Sequence, residues 1–127
     1  MRSKRTTLVV IGLVPVLVLA AFIAWPMLHY GYNFSDSLAC LVTTGQHATS
    51  FAPGYSDAAF SKLRLGMSYD EVRRLLGEPL HRDTVYWPDY GWKYSAPASS
   101  SGHYHLREVR FTQDGKVCDC FSVFYFD

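Results

Sequence analysis

A cysteine pair and a histidine pair near the end of the chain have the spacing closest to that of a metal site. Cys118-x-Cys120 and His103-x-His105 each place two ligand side chains at alternate positions, and alternate residues of a β-strand share one face. The sequence predicts that residues 104–126 form a β-hairpin, and its turn allows two registers. In either register His105 lies opposite or near Phe124. That position is too far from the cysteines for one shared zinc ion. We therefore predict no metal ligands and no cofactor.

The cysteines could instead form a disulfide. The chain has three of them, Cys40, Cys118 and Cys120, and an odd count excludes complete internal pairing. In an oxidising compartment Cys40 could bridge Cys118 or Cys120 and restrict the unfolded chain by about 2–4 kcal/mol. A redox function is disfavoured, because that chemistry needs Cys-x-x-Cys near a helix N-terminus. The pairing stays open at this point.

The other nucleophiles and acids lack the arrangement that an enzyme needs. Residues 99–101 are serines in a loop of small residues, without the Gly-x-Ser-x-Gly turn that presents a nucleophile. Asp70 and Glu71 are adjacent, so their carboxylates diverge around a helix. The 12 basic and 11 acidic residues give a net charge of +1, too weak a field to favour nucleic acid. We predict no catalytic residues, no small-molecule substrate and no nucleic-acid partner.

An uncharged run over residues 8–28 is long enough to cross a hydrocarbon core of about 30 Å as a helix. Arg2, Lys4 and Arg5 precede this run, which by the positive-inside rule places the N-terminus in the cytoplasm. We predict a cytoplasmic stub over residues 1–7 and a single-pass signal-anchor helix over residues 8–28. The rest of the chain then lies on the far side of the membrane.

Two other fates of the N-terminal segment stay open. A cleaved signal peptide would need a small-x-small site, and Leu19-Ala20-Ala21 fits that requirement poorly. A lipoprotein is the second alternative, because Ser37-Leu38-Ala39-Cys40 loosely resembles the motif for lipidation at a cysteine.

Residues 29–54 are rich in turn-forming residues and predict a linker, and residues 55–127 predict a domain that begins with two short helices. Ser56 is the expected N-cap of a helix over residues 57–64. Ser68 and Glu71 form the capping-box pattern that starts the second helix. Gly77 suits a left-handed C-terminal position, and Pro79 prevents the helix from continuing.

Two hairpins follow, with strands over residues 81–87 and 92–96, and over residues 104–112 and 117–126. A two-residue turn at Asp114-Gly115 would pair Phe111 with Cys118 and Val109 with Cys120, whereas a bulge at Gly115 would pair Phe111 with Val117 and place Val109 near Asp119. We favour the bulged form, because it gathers five apolar side chains on one face. These are Val109, Phe111, Val117, Phe121 and Val123, although Asp119 would share that face.

The predicted strands hold more aromatic side chains than so small a domain needs for its core. A surplus on the open face of a sheet forms a protein-binding surface, and we assign Trp92, Tyr94 and Tyr104 to such a surface.

The capped helix and the strands combine into one longer pattern. It consists of Phe60-x-x-Leu63-x-x-Gly66-Met67-Ser68-x-x-Glu71-Val72-x-x-Leu75-x-Gly77-x-Pro79, then Trp92-x-Tyr94, and then Val109-x-Phe111-x-x-Asp114-Gly115-Lys116-Val117. This pattern resembles the SmpA/OmlA family, that of the lipoprotein BamE in the outer-membrane β-barrel assembly machine. The resemblance covers about residues 55–127.

The resemblance implies an α+β fold in which two short helices pack on a three- to four-stranded antiparallel sheet, as also seen in β-lactamase inhibitor proteins. It implies a domain in the bacterial periplasm that binds other proteins without performing chemistry. Together with the predicted anchor, the expectation is a module tethered to the inner membrane that binds envelope proteins and assists outer-membrane assembly. The alternative is a periplasmic enzyme inhibitor of the β-lactamase-inhibitor type. In both cases the partner is a protein.

Overall fold

The computed structural model describes residues 2–43, 49–98 and 102–125, with side chains described from residue 12 onward. The chain divides into two compact units, Met1–Val42 and Thr43–Asp127.

The first unit consists of two helices, α1 (Arg2–Tyr30) and α2 (Phe34–Val42). Within α1, Gly12–Tyr30 is long and apolar enough to cross a membrane. At 1.5 Å per residue its 19 residues extend about 28 Å, close to the thickness of a hydrocarbon core. Pro15 and Pro26 both lie inside the helix. The predicted apolar helix is therefore present, and it ends two residues later than predicted.

Helix α2 corrects the prediction that residues 29–54 are an irregular linker, as does a short strand, β1 (Thr49–Phe51). Asn33 starts α2, because its Oδ1 accepts hydrogen bonds from the Asp36 N–H at 2.8 Å and the Ser35 hydroxyl at 2.7 Å. Ser37 and Cys40 form the buried side of the helix. Because the buried residues are a serine and a cysteine, the sequence lacks the apolar periodicity that would have predicted this helix.

The second unit is an α+β arrangement of short helices and antiparallel strands, as predicted. Strands β2, β3, β5 and β6 form a four-stranded sheet in that spatial order, and β1 pairs with β4 in a separate two-stranded sheet. After β1, the elements are α3 (Asp57–Phe60), α4 (Tyr69–Leu76), β2 (His81–Asp83), β3 (Gly91–Lys93), β4 (Ser95–Pro97), β5 (Tyr104–Phe111) and β6 (Val117–Tyr125).

The predicted caps of both helices are confirmed. The Ser56 hydroxyl accepts the Ala59 N–H at 3.1 Å, although α3 ends four residues earlier than predicted. The Ser68 N–H donates to the Glu71 carboxylate at 2.8 Å, and the Ser68 side chain accepts from the Glu71 N–H, which completes the capping box. The Ser68 N–H, together with the Ser68 hydroxyl at 2.9 Å, donates to the Glu71 carboxylate and lowers its pKa.

The end of α4 depends on Gly77 for two reasons. Its φ of +80° favours glycine, and a Cβ at this position would lie 3.1 Å from the Pro53 carbonyl oxygen. Its ψ of −165° differs from the left-handed helical value that we predicted. Pro79 follows, outside the helix as predicted.

The core of the second unit lies between these helices and the sheets. Val72 and Leu76 of α4 are completely buried. They belong to one cluster with residues of the four-stranded sheet, of α3 and of the positions next to β1, α3 and β4: Ala52, Phe60, Leu63, Trp92, Tyr94, Val109, Phe111 and Val117. Burying a side chain of this size stabilises the fold by about 1.5–3 kcal/mol.

The hairpin between β5 and β6 contains two irregularities, and only one was predicted. Gly115 has a φ of +75°, and Phe111 pairs with Val117, as expected for the bulged turn. A second shift, between Arg110 and Phe111, leaves Cys118 as an extra residue and pairs Val109 with Cys120. This shift moves Asp119 off the core face, where the sequence pattern had placed it.

Because of the second shift, the predicted apolar face is only partly correct. Phe121 pairs with Glu108 and Val123 pairs with Leu106, so both lie on the face opposite Val109. Cys120 takes a place against the core.

Replacing Gly115 with alanine should destabilise the domain more than a glycine replacement elsewhere. A Cβ at Gly115 would lie 2.5 Å from a ring carbon of Tyr69, whereas Gly54 has a similar φ of +81° and nothing within 4 Å. We expect about 1–2 kcal/mol of backbone strain in both variants and about 1–3 kcal/mol more for Gly115→Ala from overpacking. Denaturant unfolding of the two variants checks this, and equal losses of stability would contradict it.

Candidate functional site: the aromatic loop between β2 and β3

The structure corrects the predicted protein-binding surface. Trp92 and Tyr94 are only 1% and 0% exposed, and both belong to the core. The Tyr94 hydroxyl donates to the Gly77 carbonyl at 3.1 Å, which ties the sheet to the end of α4. Tyr104 is half-buried, and its ring centroid lies 5.4 Å from that of Tyr125. The predicted surface is therefore wrong for two of its three residues.

The loop between β2 and β3, residues 84–90, forms an exposed apolar surface and is here called the aromatic loop. Val85 is 76% and Tyr86 70% exposed. The rings of Tyr86, Trp87 and Tyr90 contact one another, with edge-to-face centroid distances of 4.8 Å for Tyr86–Tyr90 and 4.9 Å for Trp87–Tyr90. Such pairs contribute about 0.5–1.5 kcal/mol beyond simple burial.

Asp89 fixes one end of the aromatic loop. Its carboxylate accepts the indole N–H of Trp92 at 2.9 Å and pairs with the Arg82 guanidinium at 3.2 Å. Its carbonyl accepts the Tyr69 hydroxyl at 3.3 Å. Asp89 also has a φ of +60°, which aspartate tolerates better than most residues. The loop is thus attached to a buried core residue, Trp92.

The other contacts of the loop are also specific. The Asp83 carboxylate accepts the Val85 N–H at 2.9 Å, an Asx turn that ends β2 at Asp83. The Tyr90 carbonyl accepts the Phe111 N–H at 2.9 Å, and the Arg110 guanidinium lies 5.6 Å from the Tyr90 ring centroid. Both ends of the loop are therefore held by the sheet.

Trp87 provides the polar feature of the loop. Its indole nitrogen is buried and finds no acceptor within the described ranges. A buried donor without a partner is unusual in a folded protein.

A charged network surrounds the base of the loop. Glu78 pairs with Arg73 at 2.6 Å and with Arg82 at 2.8 Å. Both guanidinium groups lie over the Trp92 ring, at 5.4 and 5.0 Å from its centroid. Since Glu78 and both arginines are largely open to solvent, the ion pairs themselves contribute little stability, and their main effect is to cover Trp92.

A buried charged cluster lies elsewhere in the same unit. Arg107 is fully buried, its Nε lies 2.9 Å from Asp57, and the Tyr55 hydroxyl donates to the same carboxylate oxygen at 2.7 Å. Burial, followed by the hydrogen bond to Asp57, raises the pKa of Tyr55. A tyrosine that stays protonated cannot act as a base, and the cluster instead joins β5 to the start of α3.

Of the three cysteines, Cys118 and Cys120 are free thiols in this structure, and Cys40 is buried in α2. Because of the shift at Cys118, that residue is exposed while Cys120 packs against the core. Burial raises the pKa of Cys120 to about 11, and the Asp119 charge adds to this effect. Burial also raises the pKa of Cys40. Among the described residues, no three His, Cys, Asp or Glu side chains are grouped to hold a metal ion.

The aromatic loop departs from the sequence pattern, which predicts one strand over residues 81–87; in the structure β2 ends at Asp83. Val85, Tyr86 and Trp87 are three consecutive apolar residues, so they lack the alternation of apolar and polar residues that a half-buried strand shows. That run, bounded by Asp83 and Asp89, was the available signal for a loop. The serines at 99–101, in the predicted loop of small residues, lie outside the described residues.

Searches of protein-family models and of curated proteins both found no match to this chain.

Removing the Asp89 side chain should release the aromatic loop and destabilise the core. In Asp89→Ala the buried Trp92 indole N–H loses its acceptor, so we expect a loss of about 2–4 kcal/mol from the unpaired donor and from backbone strain at positive φ. Asp89→Asn keeps an acceptor and tolerates the same φ, so its loss should be much smaller. Denaturant unfolding compares the two, and similar losses would contradict the role of the Asp89–Trp92 hydrogen bond.

The thiols should react in a fixed order. At pH 8 about 0.1% of a thiol with a pKa of about 11 is ionised, so Cys120 should react slowly with iodoacetamide while the exposed Cys118 reacts first. The rate at Cys120 should rise about tenfold per pH unit up to pH 10, because the thiolate is the nucleophile. Peptide mass spectrometry measures each site, with Cys118→Ser as the control. Equal rates at the two cysteines would contradict the arrangement in which the extra residue, Cys118, is exposed while Cys120 packs against the core.

Proposed function

We propose that this chain is a membrane-anchored, BamE-like protein-interaction module without catalytic activity. Helix α1 is its single-pass anchor in a bacterial inner membrane, and the N-terminus lies in the cytoplasm. Unit Thr43–Asp127 lies in the periplasm, where it binds another envelope protein and assists outer-membrane protein assembly.

The aromatic loop is the observation that carries this proposal. Protein–protein interfaces owe most of their affinity to a few aromatic and arginine side chains held in fixed positions. Tyr86 and Val85 are exposed, and Asp83 and Asp89 hold the loop at both ends, so little conformational entropy is lost when a partner binds.

The anchor and its orientation have separate support. Gly12–Tyr30 is long and apolar enough to span a bilayer. The basic residues Arg2, Lys4 and Arg5 precede it, as they do when the N-terminus stays in the cytoplasm. The SmpA/OmlA resemblance of residues 55–127 supports the periplasmic role and the class of partner.

An enzyme inhibitor of the β-lactamase-inhibitor type is the second candidate. The same aromatic loop favours it, since an exposed Tyr86 on a loop held at both ends is suited to an enzyme cleft. The identity of the captured partner distinguishes the two: a component of envelope assembly or a hydrolase.

The test is affinity capture with the tagged full-length chain from solubilised membranes of the source organism, followed by measurement of the partner's Kd. We expect Tyr86→Ala to weaken binding about 30-fold or more, the effect of losing an interface hot spot worth about 2 kcal/mol. Leu65→Ala is the matched control, because Leu65 is 73% exposed and lies outside the loop.

Circular dichroism and thermal unfolding establish that both variants fold. Equal binding of Tyr86→Ala and wild type would show that the aromatic loop is not the contact surface. Turnover of a substrate by the purified chain would overturn the non-enzymatic role.

A further inference from the structure

Helix α2 exposes a row of apolar side chains. Phe34, Leu38 and Val42 are 59%, 41% and 76% exposed, and they follow one another at intervals of four residues. Residues four apart in a helix lie on the same face. These residues, here called the α2 stripe, therefore form one continuous apolar surface along the helix.

The opposite side of α2 is different in chemistry and in burial. Ser37 and Cys40 are buried. Asp36, the only charged residue within Phe34–Val42, lies two positions from Phe34 and so on the other side of the helix axis. The stripe is thus separated from the helix's one charge, so α2 has one apolar face and one polar face.

The connection to α1 limits where the stripe can be. Helix α1 ends at Tyr30 and α2 begins at Phe34, so four Cα–Cα steps, about 14 Å at full extension, join them. The headgroup layer on each side of a bilayer is roughly 5–8 Å thick. If the apolar segment ending at Tyr30 crosses the membrane, α2 must start within or next to that layer.

Aromatic rings mark the same position. Trp25 and His29 stack at 5.2 Å, His29 meets Tyr30 edge-on at 4.7 Å, and Tyr30 lies 5.3 Å from Tyr32. Tryptophan and tyrosine concentrate at membrane–water boundaries, because their rings are apolar and their N–H or O–H groups bind water. This cluster directly precedes α2.

We propose that α2 is an interfacial helix whose stripe of Phe34, Leu38 and Val42 inserts into the acyl–headgroup boundary of the bilayer that α1 crosses. This inference rests on the membrane anchor of the proposed function. We assign lipid as the molecule that covers the stripe, because the short connection to α1 keeps α2 beside the bilayer. Lipid is then present at a high local concentration, and no separate partner has to bind. The helix would then hold the chain against the membrane where it leaves the span.

The test uses a nitroxide label in the full-length chain, in vesicles of phosphatidylethanolamine and phosphatidylglycerol. Cys40 is replaced by alanine and Cys118 and Cys120 by serine, and single labels are placed with Val42→Cys or Val85→Cys. Val42 and Val85 are the same residue type and are both 76% exposed, so they are a matched pair. Accessibility to oxygen, which enriches in lipid, is compared with accessibility to a water-soluble nickel complex.

We expect the oxygen-to-nickel ratio at position 42 to exceed that at position 85 several-fold. A third label, Val18→Cys in the middle of α1, separates the two claims. Lipid-like values at 18 and water-like values at 42 would overturn the inference and leave the anchor in place. Water-like values at 18 would overturn both. A label at 42 that is shielded from both reagents would show that protein covers the stripe, which also overturns the inference.

Discussion

The open apolar surface of α1 is the constraint on which the rest of the structure depends. Only 6% of the apolar segment within Gly12–Tyr30 is buried inside the protein. Each exposed apolar Å² costs roughly 25 cal/mol in water, and a domain with a typical stability of about 5–15 kcal/mol cannot offset such a helix. A bilayer removes this cost. The anchor proposed above therefore fits the apolar surface of α1, and the aromatic rings before α2 acquire a role from the same proposal.

In the second unit, Trp92 links the core to the surface. Its ring is buried against the cluster that contains Val72 and Val109, while its indole N–H reaches outward to Asp89. Asp89 belongs to the aromatic loop, and its carboxylate binds both this indole N–H and Arg82. The packing of Trp92 in the core therefore helps to fix the position of the loop. A loop fixed in this way can present Tyr86 without losing much entropy on binding, which is why we assign binding to this loop and no longer to Trp92 itself.

The features that the sequence predicted correctly depend on hydrogen bonds between near neighbours. The Ser68–Glu71 capping box and the bulge at Gly115 each involve residues within a few positions, so residue type alone determines them. The extra residue at Cys118 was not predictable, because it depends on packing between strands, and it reversed the faces of Phe121 and Val123. Trp92 was misassigned for the same reason: an aromatic residue in a strand fits either face until the helix that covers it is placed. The candidate site was therefore less predictable than the fold.

The mass of the intact protein extracted from the membrane fraction tests the anchor most directly. An uncut α1 predicts the full chain, 14.4 kDa, in the membrane pellet and absent from the soluble fraction after a high-salt wash. A soluble product that begins downstream of Ala21 would show that the segment is a removed signal peptide. A product that begins at Cys40 with added acyl chains would show a lipid anchor. Either result would contradict a membrane-spanning α1.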